Sequence, residues 1–129
     1  MEFFHILSIL FFCLACNPGD GTLMKFETEM TCNSQKSWCA EIRFQEYDRM
    51  FTDYLTAVPK RCAYEPTMNV TTTTDYSEGD GWGEKYYEPY AYIWHDCTER
   101  SRTTSIKIYT EPILVADKTA TRNVTVTLG

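Results

Sequence analysis

The sequence predicts an all-β protein, an antiparallel β-sandwich of seven to eight short strands that is cross-linked by disulfides. In several short stretches apolar and polar residues alternate with a period of two, the pattern of strands buried on one face. No stretch after the N-terminal region has convincing helical periodicity. Cysteines form an even set in the same part of the chain. Many short strands with turn signals between them are typical of a β-sandwich.

Residues 1–15 are predicted to be a secretory signal peptide, so that the protein is secreted and extracellular. The apolar run Ile6–Ala15 has the length of a signal-peptide core and is shorter than the roughly 20 residues of a spanning helix. Cleavage after Ala15 leaves one β-sandwich domain, residues 16–129, which still contains Cys16. Cleavage one or two residues later would remove Cys16. The first residues contain no Lys or Arg, so a buried N-terminal helix is the alternative.

Charge and hydropathy exclude several partners. The chain carries a net charge of −6, with its Lys and Arg residues dispersed. It therefore has no electrostatic footprint for nucleic acid and no polybasic patch for anionic lipid. No later segment is apolar enough to span a membrane.

The first two strands are predicted at Thr22–Thr31 and Trp38–Tyr47. In the first, the even-numbered positions point inward, and Cys32 continues that face. In the second, Cys39 points outward together with Glu41, Arg43 and Gln45, opposite Ala40, Ile42 and Phe44.

The middle of the chain is less regular. Tyr54–Val58 and Arg61–Tyr64 are predicted as parts of one strand interrupted at Pro59, which an edge position would tolerate. A Thr-rich strand follows at Met68–Tyr76 and ends in a Gly-rich acidic loop at Ser77–Glu84.

Three more strands are predicted at Tyr86–Cys97, Thr103–Tyr109 and Asn123–Leu128. In the last of these, the alternation places Val124, Val126 and Leu128 inward.

The segment Pro89–Cys97 reads Pro-Tyr-Ala-Tyr-Ile-Trp-His-Asp-Cys and resembles a signature of the nematode transthyretin-like proteins, Pro-aromatic-x-x-Ile-aromatic-His-Asp-Cys. Met30–Asn33, followed by a strand, looks like another element of that family, as does the segment Arg102–Tyr109 after the signature. The resemblance implies a secreted, immunoglobulin-like β-sandwich of the transthyretin type. The chain departs from the family at Ser34–Lys36 and in its Thr-rich middle, and family members usually continue past a Gly like Gly129 into a final strand.

Two disulfides are expected from Cys32, Cys39, Cys62 and Cys97 in an oxidising compartment. Strand parity turns Cys32 and Cys97 inward, and both occupy positions that the transthyretin-like family shares, so they are the preferred pair. Cys39 and Cys62 would form the second bridge. Four cysteines allow three connectivities, so the pairing is a preference.

The order His95-Asp96-Cys97 does not predict a catalytic site. Neighbours on a strand point to opposite faces, and Cys97 is expected to be oxidised. His95 is the only histidine after the signal, which leaves no pair for a zinc site, and a structural role is predicted for it. The hydroxyisourate hydrolase of the transthyretin fold has a C-terminal Tyr-Arg-Gly-Ser and several histidines that this chain lacks. We therefore expect no enzyme and no cofactor.

The acidic loop offers a weak alternative site. Asp75, Glu78, Asp80 and Glu84 could surround a calcium ion, but their spacing is not that of an EF-hand, and a solvated loop is favoured. No metal site is predicted.

A binding surface is predicted on the signature strand. Tyr90, Tyr92 and Trp94 form an outward aromatic stripe, and Trp82 lies on the Gly-flanked loop, where such a residue either anchors an interface or caps the core. The stripe is either a contact surface or a surface that the acidic loop covers.

Two sequons place N-glycans at Asn69 and Asn123, each on the polar face of its strand. The predicted function is extracellular binding or signalling through recognition of a cell-surface protein or lipid. The alternative is an oligomeric carrier of a small hydrophobic ligand in a channel between subunits, by analogy with vertebrate transthyretin.

Overall fold

The computed structural model describes residues 21–47, 52–77 and 85–129; the predicted signal peptide and Cys16 lie outside these ranges. All regular structure in the described residues is β. The strands are β1 (Thr22–Thr31), β2 (Trp38–Glu46), β3 (Asp53–Ala63), β4 (Thr67–Tyr76), β5 (Tyr86–Tyr87), β6 (Pro89–His95), β7 (Thr104–Tyr109), β8 (Ile113–Leu114) and β9 (Thr119–Thr127).

Two sheets build the sandwich, one with strand order β4-β1-β9 and one with order β3-β2-β6-β7. The predicted disulfide-linked β-sandwich is thus confirmed, with seven longer strands in the two sheets. The pairings are antiparallel, with the exception of β1 and β9, which run parallel. The sequence analysis missed the two-residue strand β8, which pairs with β5.

The core lies between the inward faces of the two sheets. On β1 the even-numbered positions from 22 to 30 are buried and the odd-numbered ones are more exposed, as the alternation predicted. On β2 the buried set contains Ala40, Ile42 and Phe44, again as predicted. Phe26 and Phe44 stack across the interior with 4.3 Å between ring centroids, which couples the two sheets.

Strand β3 corrects the expectation of an interruption at Pro59. Pairing with β2 continues on both sides of the proline, with Arg61 opposite Ala40 and Val58 opposite Ile42. Two residues of β3 therefore lie opposite one residue of β2, the arrangement of a β-bulge. The strand tolerates proline because β3 is at the edge of its sheet, where one side of the backbone needs no partner.

The edge strands β7 and β9 are less well covered than the central strands. Val124 is buried as predicted, whereas Val126 and Leu128 are only half-buried. On β7, Ile106 is 37% exposed. The inward direction of these side chains follows the alternation, but a strand at the border of a sheet has a neighbour on one side only.

Two disulfides cross-link the sandwich with the preferred pairing. Cys32, just after β1, is bonded to Cys97, just after β6, and so joins the two sheets. Cys39 on β2 is bonded to Cys62 on β3, directly opposite in the register, and so joins neighbouring strands. Both cysteines of the first bridge are buried in the core.

Candidate binding face

The signature strand β6 lies in the interior of the four-stranded sheet, between β2 and β7. Ala91, Ile93 and His95 point into the core, and the residues between them point to the outside, as the alternation predicted. We call this outer surface the aromatic face. Its members come from β2, β6 and β7, and they are Arg43, Tyr90, Tyr92, Trp94, Lys107 and Tyr109.

The first half of the aromatic face consists of Arg43, Tyr92 and Trp94. The rings of Tyr92 and Trp94 meet edge to face with centroids 4.3 Å apart. The guanidinium carbon of Arg43 lies 5.3 Å from the centroid of the Trp94 ring, a cation–π arrangement. The Tyr92 hydroxyl is 3.3 Å from the Ser105 hydroxyl on β7. Both aromatic rings are half-buried, so their edges are held in place while part of each stays accessible.

The second half consists of Lys107, Tyr90 and Tyr109. The ammonium nitrogen of Lys107 lies 4.6 Å from the Tyr90 ring centroid and 5.9 Å from that of Tyr109. The Tyr90 hydroxyl donates a hydrogen bond of 2.9 Å to Oε1 of Gln45. With these neighbours around it, Tyr90 is buried and only 4% exposed. Tyr90 thus points outward as predicted but is covered by its neighbours, and Tyr109, which is 60% exposed, presents its ring at this end instead.

Sequence reasoning missed Arg43, Lys107 and Tyr109 as members of this surface. Alternation already placed Arg43 outward on its strand, but only the register shows which residues are neighbours. Tyr92 is opposite Arg43 on one side and Lys107 on the other, and Tyr90 is opposite Tyr109. These pairings join residues that are far apart in the sequence, so a local sequence pattern cannot predict them.

A small cleft adjoins the aromatic face at Trp94. It has a volume of about 150 Å³, and Glu41, Lys60 and Thr103 contribute to its walls. It extends the face toward the end of β6 at which His95 is found.

His95, Asp96 and Cys97 have separate roles at the end of β6. Asp96 accepts a hydrogen bond of 2.7 Å from the backbone N–H of Cys39, which ties β6 to β2. Cys97 is in the disulfide with Cys32. His95 is buried, and its Nδ1 has no hydrogen-bond partner. Burial lowers the pKa of His95, and the charge of Asp96 opposes this effect in part.

The two sequon asparagines are on the opposite side of the molecule. Asn69 on β4 is paired with Glu29, and Asn123 on β9 is paired with Glu27, so both flank β1 on the outer face of the three-stranded sheet. Both asparagines are exposed. A cleft of about 390 Å³ between them is lined by threonines and by the two glutamates.

Several predicted features fall outside the described residues. They are Trp82 and the rest of the acidic loop, of which only Ser77, its first residue, is described. Both the favoured solvated state of this loop and its alternative as a calcium site therefore stay untested. Within the described ranges, no group of three or more His, Cys, Asp or Glu side chains is placed to hold a metal ion. The same part of the chain contains no helix long and apolar enough to cross a bilayer.

The fold and the aromatic face define a disulfide-linked β-sandwich whose two outer faces differ, one aromatic and one rich in threonine. The chain belongs to the family described as Caenorhabditis elegans protein of unknown function (DUF870), whose model matches residues 27–127. A nematode family agrees with the origin of the sequence signature. Comparison with curated proteins gives no match.

Proposed function

We propose that this chain is a secreted, non-catalytic binding protein that recognises a molecule on cell surfaces through the aromatic face. The observation that carries the proposal is the cluster of Arg43, Tyr92 and Trp94, in which two half-buried rings are supported by a cation. Trp, Tyr and Arg are the residue types that most often dominate binding energy at protein interfaces. Rings that are already held in place lose little conformational entropy when a partner binds.

Two features support an extracellular location. Disulfides persist in oxidising compartments, and this chain has one between its sheets and one between neighbouring strands. N-glycosylation sequons are used in secreted proteins, and the two sequon asparagines of this chain are exposed. They are on the face opposite to the aromatic one, so glycans there would not obstruct binding.

We further propose that the sandwich is of the transthyretin-like type. The first seven signature residues, Pro89–His95, form β6, an interior strand of the larger sheet. The final cysteine of the signature, Cys97, follows this strand and is bonded to Cys32, the other position that the transthyretin-like family shares. The carrier of a small hydrophobic ligand stays the alternative. It requires an assembly of subunits, so a monomeric protein in analytical ultracentrifugation would count against it.

The test is binding of labelled, purified protein to dissociated nematode cells, measured by flow cytometry. Trp94→Ala and Tyr92→Ala should each weaken binding by roughly 30-fold, the effect of losing an interface hot spot. The matched control is Tyr64→Ala, because Tyr64 is 85% exposed and is located in the turn after β3. Equal binding by all the variants, with the fold verified by circular dichroism, would refute the proposed surface.

Protease treatment of the cells before binding separates the two predicted kinds of partner. Loss of binding identifies a protein on the cell surface. Binding that survives identifies a lipid or glycan.

A further inference from the structure

The aromatic face carries two cations in one row across the sheet. Arg43 on β2 and Lys107 on β7 are both opposite Tyr92 in the register, one on each side. With strands roughly 4.8 Å apart, their Cα atoms are about 10 Å from each other. Both residues are exposed. Each is also held against an aromatic ring, Arg43 against Trp94 and Lys107 against Tyr90.

Neither cation forms an ion pair with a carboxylate in the described part of the chain, including Glu41, which is two residues before Arg43 and opposite Trp94. The ion pair found there, between Lys25 and Glu27, is on the other sheet. The chain as a whole is acidic, with a net charge of −6, so cations without a carboxylate partner are not explained by an excess of basic residues. An aromatic ring stabilises a cation through its face and leaves the N–H groups that point away from the ring available to another acceptor.

We infer that the partner is an acidic protein segment whose carboxylates bind Arg43 and Lys107 while an apolar or aromatic side chain lies against Tyr92 and Trp94. The inference rests on the proposed function and specifies the chemistry of the partner. Arginine binds a carboxylate through two parallel hydrogen bonds, and lysine adds a point charge. The spacing of about 10 Å suits carboxylates on different residues of an extended segment, since each residue of a strand advances by roughly 3.3 Å.

The same features argue against a membrane as the partner. Recognition of anionic lipid typically uses four to eight clustered Lys or Arg residues, each contributing about 1 kcal/mol. The row opposite Tyr92 has two. The rings of Tyr92 and Trp94 are half-buried and so offer less apolar surface to a bilayer than fully exposed rings would.

The test is a selection of random peptides displayed on phage, with the folded, disulfide-bonded protein as the target. Recovered peptides should be enriched in Asp and Glu relative to the unselected library. A recovered acidic peptide should bind Arg43→Gln and Lys107→Gln about tenfold more weakly or worse, the effect of losing a charge-assisted hydrogen bond. Lys118→Gln, at an exposed site just before β9, is the control for the loss of one positive charge and should keep the affinity.

Several results would overturn the inference. The first is a selection that yields no enrichment in acidic residues. The second is an acidic peptide that binds both variants as tightly as the unsubstituted protein. The third is binding to phosphatidylserine vesicles that Arg43→Gln abolishes, while no acidic peptide binds. The last result would assign the face to a membrane.

The cell-binding assay separates failure of this inference from failure of the proposed function. If Trp94→Ala abolishes cell binding while Arg43→Gln and Lys107→Gln leave it unchanged, the binding face stands and the acidic partner is refuted. If none of these variants changes cell binding, both are refuted.

Discussion

The ring of Phe26 on β1 stacks on the ring of Phe44 on β2 with 11° between their planes, and both side chains are fully buried. This pair is a direct contact between the interior strand of the smaller sheet and an interior strand of the larger one. The aromatic face is the reverse side of that larger sheet. The positions of the strands that carry the aromatic face therefore depend in part on the packing of these two rings.

Phe26→Ala should lower the free energy of unfolding by about 3–5 kcal/mol, because it removes a buried ring and leaves a cavity between the sheets. The measurement is urea denaturation followed by tryptophan fluorescence. Tyr64→Ala removes an aromatic ring that is 85% exposed and should change stability by less than about 0.5 kcal/mol. A loss below about 1 kcal/mol in Phe26→Ala would contradict the central place of this contact.

The two disulfides should contribute unequally. Cys32 and Cys97 are 65 residues apart in the sequence and Cys39 and Cys62 are 23 apart, so closing the first loop restricts the unfolded chain more. Loop entropy gives about 4 kcal/mol for the first bridge and about 3 kcal/mol for the second.

The comparison uses double Cys→Ala variants of each bridge in urea denaturation. The variant without the bridge between the sheets should have the lower midpoint, also because both of its cysteines are 1% exposed and leave space in the core. Equal midpoints, or the reverse order, would disagree with this account.

The sequence was sufficient for the parts of the fold that depend on local alternation. The bounds of β1 at Thr22–Thr31 were predicted as they are, because a strand buried on one face shows its period directly. The preferred cysteine pairing followed from the same parity. By contrast, Ile113–Leu114 is too short for any period to be visible.

Properties that depend on neighbours across the sheet could not be predicted. Alternation predicted that Tyr90 points outward. Tyr90 is nevertheless buried, with Gln45 and Lys107 of the two neighbouring strands in contact with it. The register of these strands cannot be inferred from a local sequence pattern. For the same reason the candidate site was predicted from β6 and from Trp82 on the loop Ser77–Glu84, without a member from β2 or β7. Arg43 and Lys107 join it because the strands pair as they do.

His95 should make stability dependent on pH. Burial lowers its pKa in the folded state from 6.5, so between the folded pKa and 6.5 the unfolded chain binds more protons than the folded one. Stability is therefore present above about pH 6.5 and is lost as the pH falls through the folded pKa. The check is the free energy of unfolding in urea at a series of pH values between neutrality and mild acid.

His95→Gln removes the titrating group and should flatten this part of the profile, whatever its effect on stability at neutral pH. The other histidine, His5, is in the predicted signal peptide and would be absent from the secreted protein. An equal slope in the two proteins would show that another group is responsible.

Glycans at Asn69 and Asn123 should share one face and leave binding intact. The register places the two asparagines across β1 from each other, about 12 Å apart by strand spacing and rise, on the outer face of the sheet that does not contain the aromatic face. Protein secreted from insect cells should lose mass on treatment with peptide N-glycosidase. Asn69→Gln and Asn123→Gln should each abolish one modification. Thr71→Ser preserves the sequon and is the matched control for Thr71→Ala, which destroys it.

Because the glycans and the aromatic face are on opposite sheets, the double Asn→Gln variant should bind nematode cells as the glycosylated protein does. An unchanged mass after glycosidase treatment would refute the modification, and weaker binding by a correctly folded double variant would show that the threonine-rich face takes part in recognition.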